Sequence, residues 1–116
     1  MKIQLIPHTQ ERKRELFGLI GELWLVATEE NEVTGICGLR ALKSKPNLFI
    51  NCLFTFDSSK LATQLRWAAE QEAKSLQMNG ISVTDLLARK DQYQAEGWRQ
   101  VATHGKLYMS YHKDIV

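Results

Sequence analysis

The sequence predicts one mixed α/β domain over residues 1–116: a mostly antiparallel sheet with helices on both faces. Three observations predict it. Two continuous apolar runs, residues 23–27 (LWLVA) and 48–56 (LFINCLFTF), have the unbroken hydrophobicity of strands covered on both sides. A long apolar stripe at helical spacing follows the second run. Short strand-like and helix-like segments alternate along the whole chain, without a repeat, a linker or a low-complexity tract.

Each element has a local cause. Residues 2–6 alternate polar and apolar, as a strand does, and Pro7 ends it because proline lacks a ladder donor. Thr9 can cap a helix over residues 10–20, with Leu16, Phe17 and Ile20 on its inner side. Residues 23–27 and 33–42 then form a hairpin about the polar turn EENE. Pro46 and Asn47 signal the turn into the strand over residues 48–56. Asp57, Ser58 and Ser59 are each able to cap the helix over residues 60–78, whose stripe is Leu61, Leu65, Ala68, Ala69 and Leu76. Glu72 falls in that stripe and reads as a rim residue. Asn79-Gly80 stops the helix. A short strand over 81–83 and a helix over 86–96, capped by Thr84 or Asp85 and ended by Gly97, come next. Residues 98–102 and 107–111 close the chain as a hairpin around His104-Gly105. The order is β-α-β-β-β-α-β-α-β-β.

Composition excludes several classes. Hydrophobic residues make up 44% and charged residues 24%, which excludes a disordered chain. Fifteen basic and thirteen acidic residues give a net charge of +2, which demands neither nucleic acid nor a membrane. The basic residues Arg12, Lys13 and Arg14 are flanked by Glu11 and Glu15 and read as a solvated helix face. Cys37 and Cys52 match no zinc or redox spacing and read as buried thiols of a reducing compartment. His8, His104 and His112 are scattered, so no metal site is expected. No run approaches the ~20 apolar residues of a membrane span, and residues 1–4 lack the apolar core of a signal peptide. A cytoplasmic protein is expected.

The element order and three segments carry a family resemblance. The hairpin 25–42 (LVATEENEVTGICGLRAL), the stretch 53–80 with AAEQEA followed by NGI, and Tyr93-Gln94-Ala95-Glu96-Gly97-Trp98 together resemble the GCN5-related N-acetyltransferases. The last segment is similar to the family's Tyr-x-x-x-Gly-Phe signature, with tryptophan for phenylalanine. The resemblance covers roughly residues 20–112 and implies an acyl-CoA N-acyltransferase-like fold. It also implies acetyl-CoA as co-substrate and a small-molecule or protein amine as acceptor.

Site residues follow from that resemblance. Phe54, Thr55 and Phe56 on the strand, and Ser59, Lys60, Leu61 and Ala62 at the start of the helix, are where acyl-CoA is held in the family. A helix N-terminus suits a diphosphate because its free N–H groups point outward. The loop departs from the family's Arg/Gln-x-x-Gly-x-Gly/Ala pattern: Lys60 replaces the first glycine and Asp57 the basic or amide residue. A side chain at 60 obstructs backbone approach, Asp57 repels phosphate, and the Lys60 ammonium offsets both. Tyr93 matches the family's general acid for the departing thiolate. No carboxylate lies in residues 48–56, so Glu22 is the nearest candidate base. Asn51 and Cys52 mark the strand centre, and no base is evident that would make Cys52 a nucleophile. Trp67 and Met78, on the outward side of the long helix, suggest a partner or homodimer surface. The alternatives are a non-catalytic relative that acts by contact, and a nucleic-acid binder using the basic helix and Arg66.

Overall fold

Alternating and continuous apolar segments become the seven strands of one sheet in the computed structural model, which describes residues 2–7, 19–42, 46–56 and 59–115. At 4–7, 19–23, 42 and 59 the backbone alone is described. The strands are β1 (Lys2–Pro7), β2 (Leu19–Glu29), β3 (Glu32–Leu42), β4 (Asn47–Thr55), β5 (Gly80–Leu86), β6 (Arg99–His104) and β7 (Tyr108–Asp114). Their order is β1-β2-β3-β4-β5-β7-β6, and every pairing is antiparallel except β4 with β5. Helix α1 (Ser59–Ser75) makes the crossover that a parallel β4–β5 pair requires. A 3-10 turn (Leu87–Arg89) and the short α2 (Lys90–Ala95) link β5 to β6.

The predicted mixed, mostly antiparallel sheet is therefore present, and the differences are local. Leu19 and Ile20, expected at the end of a helix, already belong to β2, while the rest of that helix lies outside the described residues. Glu30 and Asn31 both take positive φ, the geometry of a tight hairpin turn matched to strand twist. Neither Thr84 nor Asp85 caps the following helical turn; Asp85 instead accepts from the Leu86 amide and is used elsewhere.

Helix α1 ends earlier than Asn79-Gly80. Gln77 sits in the left-handed region (φ 57), Met78 N–H donates to the Ala73 carbonyl and Gln77 N–H to the Lys74 carbonyl. These two bonds form a Schellman closure, with glutamine where glycine is usual. The closure corrects the expected outward face. Met78 no longer follows the helical period; it folds under the last turn and is 6% exposed, in the core. Trp67 is exposed as expected, but the joint surface of Trp67 and Met78 does not exist. Leu76, expected in the stripe, is exposed in the turn, and Ala73 takes its place inside.

Both described helices pack on one face of the sheet. Leu61, Leu65, Ala69 and Ala73 of α1 cover Cys37, Leu39, Ala41, Leu48, Ile50, Ile81 and Val83. Tyr93 of α2 stacks on Tyr111 of β7, ring centroids 4.0 Å apart and planes within 5°, and meets Trp98 edge-on. On the opposite face, the side chains of Arg40, Phe49, Ser82 and His112 border a groove. Cys37 is fully buried and its thiol is pushed up to about 12 by burial, so it is inert, whereas Cys52 is only half-buried.

Candidate functional site

A wedge opens in the middle of the sheet. Strands β4 and β5 pair over only four positions, Asn47 with Gly80 through Ile50 with Val83. Beyond them β4 runs on to Thr55 beside β3 and β5 to Leu86 beside β7, but the two no longer pair with each other. The cause is visible on the other edge of β4. Gly38 pairs Cys52 and Leu39 pairs Ile50, so Asn51 is an extra residue, a bulge that bends the strand away. Gly38 makes room for it: a Cβ there would meet Asn51 Oδ1 at 2.5 Å and the Trp24 ring at 2.8 Å. Among the described residues no strand pairs with the β5-facing edge of β4 from Asn51 to Phe54, which makes that edge a template for an extended, amide-bearing ligand.

The foot of the wedge is the start of α1. Lys60 is exposed there and Ala62 half-buried. Leu61 points inward; its Cδ2 approaches within 3.1 Å of where a Gly35 Cβ would lie, so only its backbone is available to a ligand. Phe54 and Phe56 are exposed and meet edge-to-face at 5.0 Å, while the Phe56 N–H is taken by the Thr34 carbonyl. Residues 57 and 58 and the Ser59 side chain lie outside the described residues.

On the helical side, a polar network backs the wedge. Tyr93 is completely buried, and its hydroxyl donates to Asp85 Oδ2 at 2.7 Å. Asp85 lies on β5 two residues past the last β4–β5 pair and also accepts from Arg89. Burial, and then the bond to Asp85, hold the Tyr93 phenol far above its ordinary range. Above its ring, 4.5 Å from the centroid, lies the Arg66 guanidinium, 1% exposed. Arg66 Nε and Nη2 donate to the two carboxylate oxygens of Glu96 at 2.8 and 2.6 Å. Thr63 donates to the same carboxylate. Arg66 is therefore a core cation, not a contact for nucleic acid, and the basic residues 12–14 lie outside the described residues.

On the open side, the register aligns one row across five strands. Arg40 pairs Phe49, Phe49 pairs Ser82, Ser82 pairs His112 and His112 pairs Arg99. These residues border a groove of about 800 Å³, within the ~300–1,000 Å³ usual for small-molecule sites. Glu22 is the register partner of Arg40 at the end of this row; its side chain lies outside the described residues. Gly80 admits the imidazole of His112, whose Cε1 would lie 2.5 Å from an added Cβ. The structure thus places Tyr93 behind the wedge, Lys60 and Ala62 at its foot and Phe54 and Thr55 along its β4 side, and it places Glu22 by backbone register alone, beside Arg40. Sequence reasoning missed Arg66, Glu96, Asp85 and the groove row. Asp85 reads in the sequence as a helix cap and Arg66 as a nucleic-acid contact, so neither role found here is signalled there.

The sequence matches no family model and no curated protein. Solved structures do match. An acetyltransferase from Bacillus subtilis in complex with CoA aligns at a TM-score of 0.72 and 14% identity, over 99% of this chain and 100% of that one. An acyl-CoA N-acyltransferase from Pseudomonas aeruginosa aligns at 0.73 and 12%, over 97% and 99%. The aminoglycoside 6'-N-acetyltransferase from Enterococcus faecium aligns at 0.69 and 15%, over 89% and 79%. The fold is that of the acyl-CoA N-acyltransferases. The likeness to GCN5-related acetyltransferases read in the sequence holds at the level of architecture over nearly the whole chain. Among the described residues no helix is long and apolar enough to cross a membrane.

Proposed function

We propose that the protein is an acyl-CoA-dependent N-acyltransferase that moves an acetyl group from acetyl-CoA to an amine. The observation that carries this is the wedge: a bulge at Asn51, an unladdered β4 edge, and a helix start at its foot. In this reading the main chain at Phe54, Thr55 and Phe56 borders the pantetheine arm. The first turn of α1, from Ser59 to Ala62, meets the diphosphate, with Lys60 supplying the positive charge that its loop's glycine would not. The amine attacks the thioester carbonyl from the groove side, Glu22 takes the amine proton, and Tyr93 protonates the departing thiolate. For that last role the Tyr93 hydroxyl gives up its bond to Asp85 when acyl-CoA enters.

Tyr93 also supports a second reading. A phenol that is fully buried and committed to Asp85 suits a fold retained without turnover, in a protein that acts by contact. Thermal unfolding with and without acetyl-CoA separates the two, because a ligand of the native state alone stabilises by about 2.7 kcal/mol at a hundredfold excess over its Kd. A raised midpoint, followed by CoA release with a panel of amines, supports the enzyme. An unchanged midpoint at millimolar acetyl-CoA removes it. In an active protein, Tyr93→Phe that lowers kcat at unchanged KM and Tm assigns the acid; a fall in Tm alone assigns a structural role.

A further inference from the structure

We infer that the groove on the open face is a carboxylate-recognising pocket, and that the acceptor amine it takes also carries a carboxylate, held by Arg99 and His112. Calling the ligand an acceptor rests on the acyltransferase reading; the carboxylate site does not. The inference begins with a chain of hydrogen bonds from β4 through β5 to β7. Asn47 Nδ2 donates to Ser82 Oγ at 3.1 Å. Ser82 Oγ in turn lies 2.8 Å from His112 Nδ1 and fixes the plane of the ring. The other ring nitrogen, Nε2, faces a carboxylate, which only accepts, so Nε2 is the donor there.

From Nε2 the donor points to Asp114 Oδ1 at 3.1 Å. Arg99 Nη2 approaches the same oxygen at 3.6 Å. Two donors on adjacent strands thus converge on one carboxylate oxygen. Arg99 and His112 are register partners on neighbouring strands, so the convergence is built into the sheet rather than into two flexible side chains alone. The occupant is poorly held. Both distances exceed the ~2.7–2.9 Å of a well-formed charge-assisted bond, and Asp114 is 69% exposed in the last residues of β7. A surface pair of this kind is worth little. Asp114 therefore acts as a self-supplied placeholder for a better-seated carboxylate.

The rest of the groove fits such a ligand. Among the described residues that line it there is no Asp or Glu. Its floor offers the Phe49 ring, and the hydroxyls of Thr84 and Ser110 lie 3.1 Å apart beside the wedge. Thr84 is the first β5 residue past the last β4–β5 pair, so a ligand anchored at Arg99 reaches the wedge across β7 and β5. That is two strand spacings, about 10 Å, plus two residues along β5, so the ligand bears its amine many bonds away from its carboxylate.

The test uses the whole chain without coenzyme, and N-acetylglycine as the probe against its neutral twin N-acetylglycinamide. Amide-resolved NMR titration is expected to show saturable shifts at Ser82, Arg99 and His112 with the carboxylate, at least tenfold tighter than with the amide. Arg99→Gln is expected to weaken the carboxylate at least tenfold. Asp114→Ala, which empties the placeholder, is expected to tighten it several-fold. Equal binding of the two probes, no saturable binding of the carboxylate, or an Asp114→Ala variant that binds no more tightly overturns the inference. An acetyl-CoA titration of the same sample keeps the two proposals apart. Carboxylate selectivity without acetyl-CoA binding supports the pocket and refutes the acyltransferase, and acetyl-CoA binding without that selectivity refutes the pocket alone.

Discussion

Replacing Glu96 with alanine removes the counter-charge of a buried cation. Arg66 is 1% exposed, and its Nε and Nη2 donate to both oxygens of the Glu96 carboxylate. Without that carboxylate the guanidinium keeps the Tyr93 ring and a 3.3 Å bond to Thr63, neither of which carries charge. Breaking a buried pair from one side costs about 3–5 kcal/mol, because the remaining charge stays desolvated and unpaired. A chain of 116 residues holds about 6–17 kcal/mol in total, so the loss is a large share of it. In urea, with a slope near ~2 kcal/mol/M, the midpoint falls by about 2 M. The control is the double variant Arg66→Met/Glu96→Ala, which removes the orphaned charge and fills its space with an unbranched apolar chain; it recovers most of the loss. Circular dichroism through the urea transition reads both. A Glu96→Ala cost below ~1 kcal/mol, or a double variant no more stable than the single one, refutes the view that a desolvated charge is at stake.

Other expectations follow from single features. The Tyr93 phenol is held protonated in the folded state, while in the unfolded chain it ionises near ~10, so its contribution is intact below that pH and is lost as pH rises above it. Stability should fall above pH ~10 by up to about 1.4 kcal/mol per pH unit more in the wild type than in Tyr93→Phe, measured by urea unfolding at several alkaline pH values. Gln77→Gly should raise stability by about 0.5–1 kcal/mol, since glycine adopts the positive φ at the end of α1 without a Cβ penalty, and thermal unfolding reads it. Met78→Ala should cost about 2–4 kcal/mol as a core truncation, whereas Trp67→Ala should stay within about 0.5 kcal/mol; equal effects would mean that Met78 is not in the core.

Much of this fold was legible locally. The apolar runs at 23–27 and 48–56, the hairpin turn at Glu30-Asn31 and the stripe of Leu61, Leu65 and Ala69 each state their structure within a few residues. What stayed hidden depends on partners distant in the chain. Arg66 lies among polar-looking helix positions, and only Glu96, thirty residues on, makes its burial tolerable. The row from Arg40 to Arg99 exists only once four strand registers are set. Met78 was misplaced because a left-handed glutamine breaks the helical period that the stripe implied. The wedge itself comes from a one-residue excess at Asn51, which a single polar residue within a run of apolar ones does not reveal.

The four-position β4–β5 ladder has a consequence for how the chain opens. It divides the sheet into an N-terminal meander, β1 through β4, and a C-terminal unit, β5, β7 and β6, each held by antiparallel pairing. Among the described residues that ladder, helix α1 and a few polar contacts, the Arg66–Glu96 clasp and the Glu70–Lys113 pair foremost, join them. Two such units protect their amides as separate blocks, the C-terminal one exchanging as a body when the clasp lets go. Anything bound in the wedge spans the seam, so its clearest signature is that both blocks begin to exchange at one common rate.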